Sequence, residues 1–343
     1  MFRRITQLSV AGVAVLALAG CSLTGSPNST SPEGEGGTVT ILTHDSFQMT
    51  EEQIAAFEEQ TGYDLVTTAP GDAGFVVNQL LLGEDAPTVD GVYGIDNFSA
   101  TTIGEAEVLA DYVSPELPDN ASEYAMGDYL TPIDHGQVCI NIDHGWFEEK
   151  GVEEPTTLDE LAEPEYAKLL VITDPSTSSP GLAFLAGVVS KYGDDWQDYI
   201  NKLIDGGTRV ASGWSDAYYV DFSGSEGEGD YPLVLSYASS PAAEGGKTGN
   251  LDASCVDQIE YAGVVEGAKN PEGAQAFIDY LLSDEYQTTI PEQMYMYPIN
   301  SEIELPEDWT KHAEPSTEVI DVDPAEVAEN RDEWIEEFTK INE

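Results

Sequence analysis

The sequence predicts an α/β fold, a sheet covered by helices on both faces. Short β-rich runs alternate with helical stretches from about residue 38 onward, the pattern of strands joined by packed helices. Residues such as Thr50 and Thr157 stand where helix caps are needed. About three hundred residues follow an opening polar stretch, enough for two lobes with separate cores. The first run, residues 38–43, ends in a polar turn formed by His44, Asp45, Ser46 and Phe47. Thr50 then precedes Glu51, Glu52 and Gln53, a cap with acidic residues in the first turn, and Ile54 and Phe57 carry a helix that stops near Gly62. Residues 63–68 and 89–95 read as strands and 75–82 as a helix. The pattern restarts near Thr131, with strands over 137–142, 169–173, 232–237 and 258–265. Helices are expected from 157, over 180–192, 195–204 and 271–282, and around 325–341. Sheets of this kind bind ligands at the carboxyl ends of their strands, so the loops holding Asp45, Ser46 and Phe47 and Asp96, Asn97 and Phe98 are candidate pocket walls on position alone.

The first twenty residues read as a targeting segment. Arg3 and Arg4 precede an apolar run over 10–19 that is too short to cross a bilayer, which needs about 20 apolar residues. The run ends in Leu18, Ala19, Gly20 and Cys21, which resembles the bacterial lipobox, with Cys21 the acylated residue. Residues 22–37 are almost wholly polar or small and cannot build a core, so they are expected to be a flexible linker with an r.m.s. span of roughly 20–24 Å. The predicted organisation is a signal peptide over 1–20, acylated Cys21 and linker over 21–37, one lobe from 38–131 plus 258–298, a second over 132–257, and a C-terminal helical segment over 299–343. The protein is expected to be exported and held by its lipid at the outer face of the cell membrane.

The chain carries 65 acidic and 12 basic side chains, a formal charge of −53. Phosphate backbones repel such a surface, which argues against nucleic acid as a partner. Dispersed Asp and Glu at this density read as a solvated surface, and selectivity for a cation requires particular placed carboxylates. Cys139 and Cys255 remain once Cys21 is assigned; in an exported protein two thiols favour one disulfide over two buried free thiols. Nothing points to catalysis. The four histidines, His44, His135, His144 and His312, lack zinc-ligand spacing, and no nucleophile elbow, phosphate loop or dinucleotide fingerprint is present.

Two kinds of segment could hold a ligand. Residues 174–181 follow a strand and open a helix; Ser178 or Ser179 suits its cap, and such a start also receives anions. Aromatic residues recur beside turns after strands: Trp214, Tyr218 and Tyr219 near Ser215, then Tyr237 near Ser239, then Tyr295 and Tyr297. Tyr and Trp faces attract quaternary or delocalised cations, although each ring alone is more often packing.

Taken together, the motifs THDSF (43–47), GIDN (94–97), DPSTSSPG (174–181), GWSDAY (213–218), LSYASSP (235–241) and MYP (296–298), with Ile290 and Pro291, resemble those of the thiamine-binding proteins of bacterial ABC importers. The resemblance implies a two-lobed type II periplasmic binding protein fold with hinge strands, closing on thiamine or its mono- or diphosphate and delivering it to ABC permease subunits. It implies no cofactor and a monomeric protein. It assigns Asp45 and Asp96 to the cationic ligand, Ser178 and Ser179 to its hydroxyl or phosphate end, and Trp214 and Tyr237 to its rings, with Ser46, Asn97, Ser215, Tyr218, Ser239 and Tyr295 beside them. The chain departs from the family at His44, Ala243 and Tyr295, where aromatic residues (a tryptophan in the last case) are usual. Other readings are an iron(III) or polyamine binder of the same fold, a thiamine-processing enzyme, or a structural surface lipoprotein.

Overall fold

In the computed structural model the described residues are 36–343 apart from Asp85 and Glu228, and the expected signal peptide, Cys21 and all but the last two linker residues lie outside them. Ten strands form the sheet: β1 (Gly37–Leu42), β2 (Tyr63–Thr68), β3 (Gly91–Asp96), β4 (Leu109–Ala110), β5 (Thr131–Asp143), β6 (Leu170–Thr173), β7 (Arg209–Ala211), β8 (Leu233–Tyr237), β9 (Thr248–Val265) and β10 (Tyr297–Pro298). Their order is β2-β1-β3-β9-β5-β8-β6-β7, with β4 beside β9 and β10 beside β5. Strands β1, β2 and β3 are parallel to one another, as are β6, β7 and β8. The antiparallel pair β5 and β9 joins the two groups.

Local chemistry accounts for the helices. Thr50 accepts the Gln53 N–H while the Gln53 side chain accepts the Thr50 N–H, a reciprocal capping box for the helix Glu51–Thr61. That helix ends at Gly62, whose φ of 76° is left-handed and free of a Cβ penalty. Phe57 on its inner face is fully buried, worth roughly 1.5–3 kcal/mol relative to exposure. The helix Ser179–Tyr192 is buried on nearly every side. Its uniformly apolar first three turns are explained by its neighbours, since the helices Trp196–Gly206 and Pro324–Asn342 pack against it along with the sheet. The C-terminal helix thus docks on the helices Ser179–Tyr192 and Trp196–Gly206, burying Val327, Trp334 and Phe338.

The long strands are the largest difference from the sequence reading. β5 runs for 13 residues and β9 for 18, where six and eight were expected. Polar residues such as Asp134 and Ser254 hide their continuity, because each is buried with a partner supplied by another strand. The pairing of β5 with β9 shifts register between Val138 and Ile140, and Ser254 accepts the Ile140 N–H at 2.8 Å in the gap. Beside it Cys139 and Cys255 form a disulfide that staples the two long strands. No helix among the described residues is long and apolar enough to cross a membrane.

The Cys139–Cys255 link closes a separation of 116 residues. A Cys139→Ala, Cys255→Ala double variant should therefore lose on the order of 4–5 kcal/mol in the chain-entropy picture. Urea unfolding checks this as a fall in midpoint with a steeper slope, since the uncrosslinked denatured chain exposes more surface.

Candidate functional site

The carboxyl ends of parallel strands from both groups face one cavity of about 300 Å³. His44, Asp45 and Ser46 enter it from the loop after β1, and Asp72 from the turn after β2. Ser179 comes from the first turn of the helix after β6, Trp214 and Ser215 from the helical turn after β7, and Tyr237 from the end of β8. Glu260 rises from the middle of β9, while Glu292, Gln293, Met294 and Tyr295 close the rim with Gln48 and Tyr219. The position agrees with the rule that open α/β sheets bind at their strands' carboxyl ends.

One wall is aromatic. Trp214 lies 5.9 Å from Tyr237, 5.5 Å from Tyr295 and 5.3 Å from Tyr219 between ring centroids. Its Nε1–H donates to Ser236 Oγ at 2.8 Å, which fixes the indole. Tyr218 and Tyr219 stand in a π-helical turn, residues 217–221, a distortion frequent at functional sites. Tyr295 adopts a left-handed φ of 57°, costly for a residue with a large side chain. The Ser239 hydroxyl donates to the Tyr295 carbonyl, which ties this backbone to the turn after β8.

The floor is a buried polar network. Glu260 is only 3% exposed, yet its carboxylate lies below the usual pKa: burial opposes its charge, but His44, Tyr93 and Gln258 together outweigh burial. His44 Nε2 stands 3.5 Å from Glu260 Oε2, and Gln258 Nε2 donates to Oε1 at 3.2 Å. The Tyr93 hydroxyl lies 2.8 Å from Glu260 and 2.5 Å from Asp134. One phenolic proton cannot serve both. Burial and the charge on Glu260 push Asp134 well above the carboxylate range, so Asp134 keeps its proton and donates it to Tyr93, which donates to Glu260. Four carboxylates, those of Asp45, Asp72, Glu260 and Glu292, thus surround the cavity against one imidazole. The arrangement favours a small, delocalised cation.

The two walls also touch. Asp72 Oδ2 accepts the Trp214 N–H at 2.8 Å while Oδ1 accepts Ala73 N–H at 2.6 Å. Ser46 and Ser215 meet through their hydroxyls at 3.1 Å. Gly74 N–H donates to the Thr177 carbonyl at 2.9 Å, and a Cβ on Gly74 would lie 2.6 Å from Thr177 Cα.

Of the residues expected at the site, Asp45, Ser46, Ser179, Trp214, Ser215, Tyr237 and Tyr295 line this cavity. Five do not. Asp96 Oδ1 accepts the Ser99 N–H at 2.7 Å, capping the next turn, and the carboxylate faces Arg331 of the C-terminal helix. Asn97 is tied to β9, its Oδ1 accepting Ile259 N–H at 3.0 Å, and borders a separate groove. Tyr218 stacks behind Trp214 at 5.0 Å with its hydroxyl on Glu244. Ser239 is occupied by the Tyr295 carbonyl, and Ser178 is buried against Asp72. Asp72, Glu260 and Glu292 were missed. The turn after β2 reads as a simple helix cap, and a carboxylate inside an otherwise apolar strand is the signal that could have found Glu260.

Residues 44–288 match the family model described as bacterial extracellular solute-binding protein. The chain belongs to this family. This solute-binding protein is 30% identical over 313 residues to the thiamine-binding periplasmic protein of Escherichia coli K12, covering 88% of this chain and 92% of that one. A solved periplasmic thiamin binding protein superposes with a TM-score of 0.79 at 28% identity, covering 91% of this chain and 99% of the other. A ferric binding protein from Campylobacter jejuni, at 18% identity and a TM-score of 0.68 over 88% and 99% of the two chains, shares the fold. The fold is the type II periplasmic binding protein fold.

Burial raises the Asp96 pKa to about 6, against the pull of Arg331 and the Ser99 and Phe98 N–H groups. A folded pKa above the unfolded one means the native state binds more protons between about pH 4 and 6, so this group withdraws stability as pH rises through that window. Asp96→Asn should remove that loss. Urea midpoints of variant and wild type should diverge in the variant's favour from about pH 4 to 6, then stay parallel.

Proposed function

We propose that this protein captures thiamine, free or as its mono- or diphosphate, outside the cell and delivers it to the permease of an ABC importer. The observation that carries the reading is the cavity itself: an aromatic wall of Trp214, Tyr219, Tyr237 and Tyr295 facing the carboxylates of Asp45, Asp72, Glu260 and Glu292. Thiazolium carries a fixed positive charge, which such rings and carboxylates distinguish from neutral heterocycles. The aminopyrimidine offers donors and acceptors that Ser46, Ser215 and Gln293 can meet. The cavity lies at the small end of ligand pockets, roughly 300–1,000 Å³, which suits a two-ring cation. The thiamine-binding relatives, matched along nearly their whole length, support the same solute.

Around this core we infer the organisation that export of a tethered binder requires. Cys21 is acylated after removal of residues 1–20, the linker reaches to 37, and the protein acts as a monomer at the outer face of the membrane. The lobes take 38–131 with 258–298 and 132–257, meeting at the β5–β9 pair, with 299–343 strapped across the second lobe. A tyrosinate iron site fits less well. Burial raises both Tyr218 and Tyr219 above the phenol range, and neighbouring carboxylates add to it, which disfavours the ionised form iron would need.

Isothermal calorimetry with thiamine tests the proposal. Saturable one-to-one binding and a rise in melting temperature with ligand are expected; no melting shift with thiamine or its phosphates would return the solute to unknown. Trp214→Ala should weaken thiamine by roughly 10–30-fold, the loss of a desolvated cation–π contact of about 2 kcal/mol. Tyr219→Ala should cost less, because that ring is 39% exposed at the rim.

A further inference from the structure

We propose that the His44 proton is expelled when a fixed-charge cation enters the cavity, so that capture is coupled to proton release. The inference rests on the reading of the cavity as a cation site and assigns a role to the single imidazole on its wall.

The geometry places His44 where a bound cation and an imidazolium compete for the same carboxylates. The side chain is 6% exposed and lines the cavity, with Nε2 3.5 Å from Glu260 of β9. Its ring lies 5.5 Å from that of Tyr93 on β3 and against Gly94, whose φ of 96° and missing Cβ leave room for it. The other charged groups acting on it are Asp72, at the cap of the helix Ala73–Leu82, and Asp45 on its own loop. Burial pushes the phenols of Tyr93 and Tyr237 further above their ordinary range, so they stay neutral, and burial and the charge on Glu260 push Asp134 on β5 well above the carboxylate range. Burial opposes charge on His44, but Glu260, Asp72 and Asp45 outweigh it and raise its pKa above the ordinary 6.5.

A cation seated among these carboxylates neutralises the groups that hold the imidazole proton and adds a like charge beside it. Both effects lower the pKa of His44 in the complex, and the proton passes to solvent. Linkage fixes the sign. Affinity for the cation rises with pH, by up to tenfold per unit, until pH passes the His44 pKa of the ligand-free protein, and is level above it.

Calorimetric titration of thiamine at pH 6, 7 and 8, in two buffers of different ionisation enthalpy, reads both the affinity and the protons released. Wild type should release a fraction approaching one proton per thiamine at pH 6 and bind more tightly as pH rises. His44→Gln should still bind, with a flat profile and no release. Equal pH slopes in the two proteins, or a flat wild-type profile, would overturn the role of His44 and leave the thiamine reading standing. If thiamine binds neither protein at any pH, the thiamine reading falls, and NMR of the ligand-free imidazole, assigned by its absence in His44→Gln, decides the rest. A midpoint above 6.5 that drops on adding choline, a bare quaternary cation, is expected; a midpoint at or below 6.5, or one that choline leaves unmoved, would overturn the coupling.

Discussion

A carboxylate buried in the middle of a sheet is the constraint around which this site is organised. Glu260 sits on the one strand that borders both β3 and β5, so its neighbours come from both groups of strands. An unpaired charge there would be severely destabilising, and the fold answers with partners on each side: the His44 imidazole from the β1 loop at ion-pair distance, and hydrogen-bond donors from Tyr93 on β3 and Gln258 on β9 itself. The residual proton on Asp134 completes the chain. A buried network of this kind fixes relative positions more tightly than apolar packing would, and what it fixes is the junction beneath the cavity.

The aromatic wall depends on that junction at one remove. Trp214 is held at its backbone by Asp72, at its indole nitrogen by Ser236 and at its back face by Tyr218. Tyr295 stays in a disfavoured backbone conformation with its carbonyl gripped by Ser239. Residues expected to touch the ligand, Tyr218 and Ser239, instead set the orientation of those that line the cavity. A recognition surface made of rings needs such support, since a ring turned by a few tens of degrees presents its edge instead of its negative face.

How much could be read from the sequence depends on how local each signal is. Caps and helix stops at Thr50, Gly62, Thr157 and Ser178 concern three or four consecutive residues, and the corresponding elements stand within one to three residues of where they were expected. The two-residue strands β4 and β10 have no periodicity to detect. The long strands were cut short because Asp134 and Ser254 look like loop residues until their partners on other strands are known. The same limit explains Asp96 and Asp72. Each is a carboxylate in a turn after a strand and each caps the helical turn next to it, and only the tertiary fold decides which one also faces the cavity. The aromatic motifs were legible because ring, turn residue and strand end are adjacent in the chain.

The contact at Gly74 has a bearing on the size of solute that can be accommodated. The walls meet there main chain against main chain, with no side chain between them to fold aside. Such a contact behaves as a gauge: it either seats or it does not, and it seats only around something no bulkier than the chamber behind it. A solute exceeding that measure would prop the jaws apart by a margin no rotamer could absorb. The outer contour around the cavity would then differ between a fitting solute and an oversized one, a discrimination made at this point by the backbone.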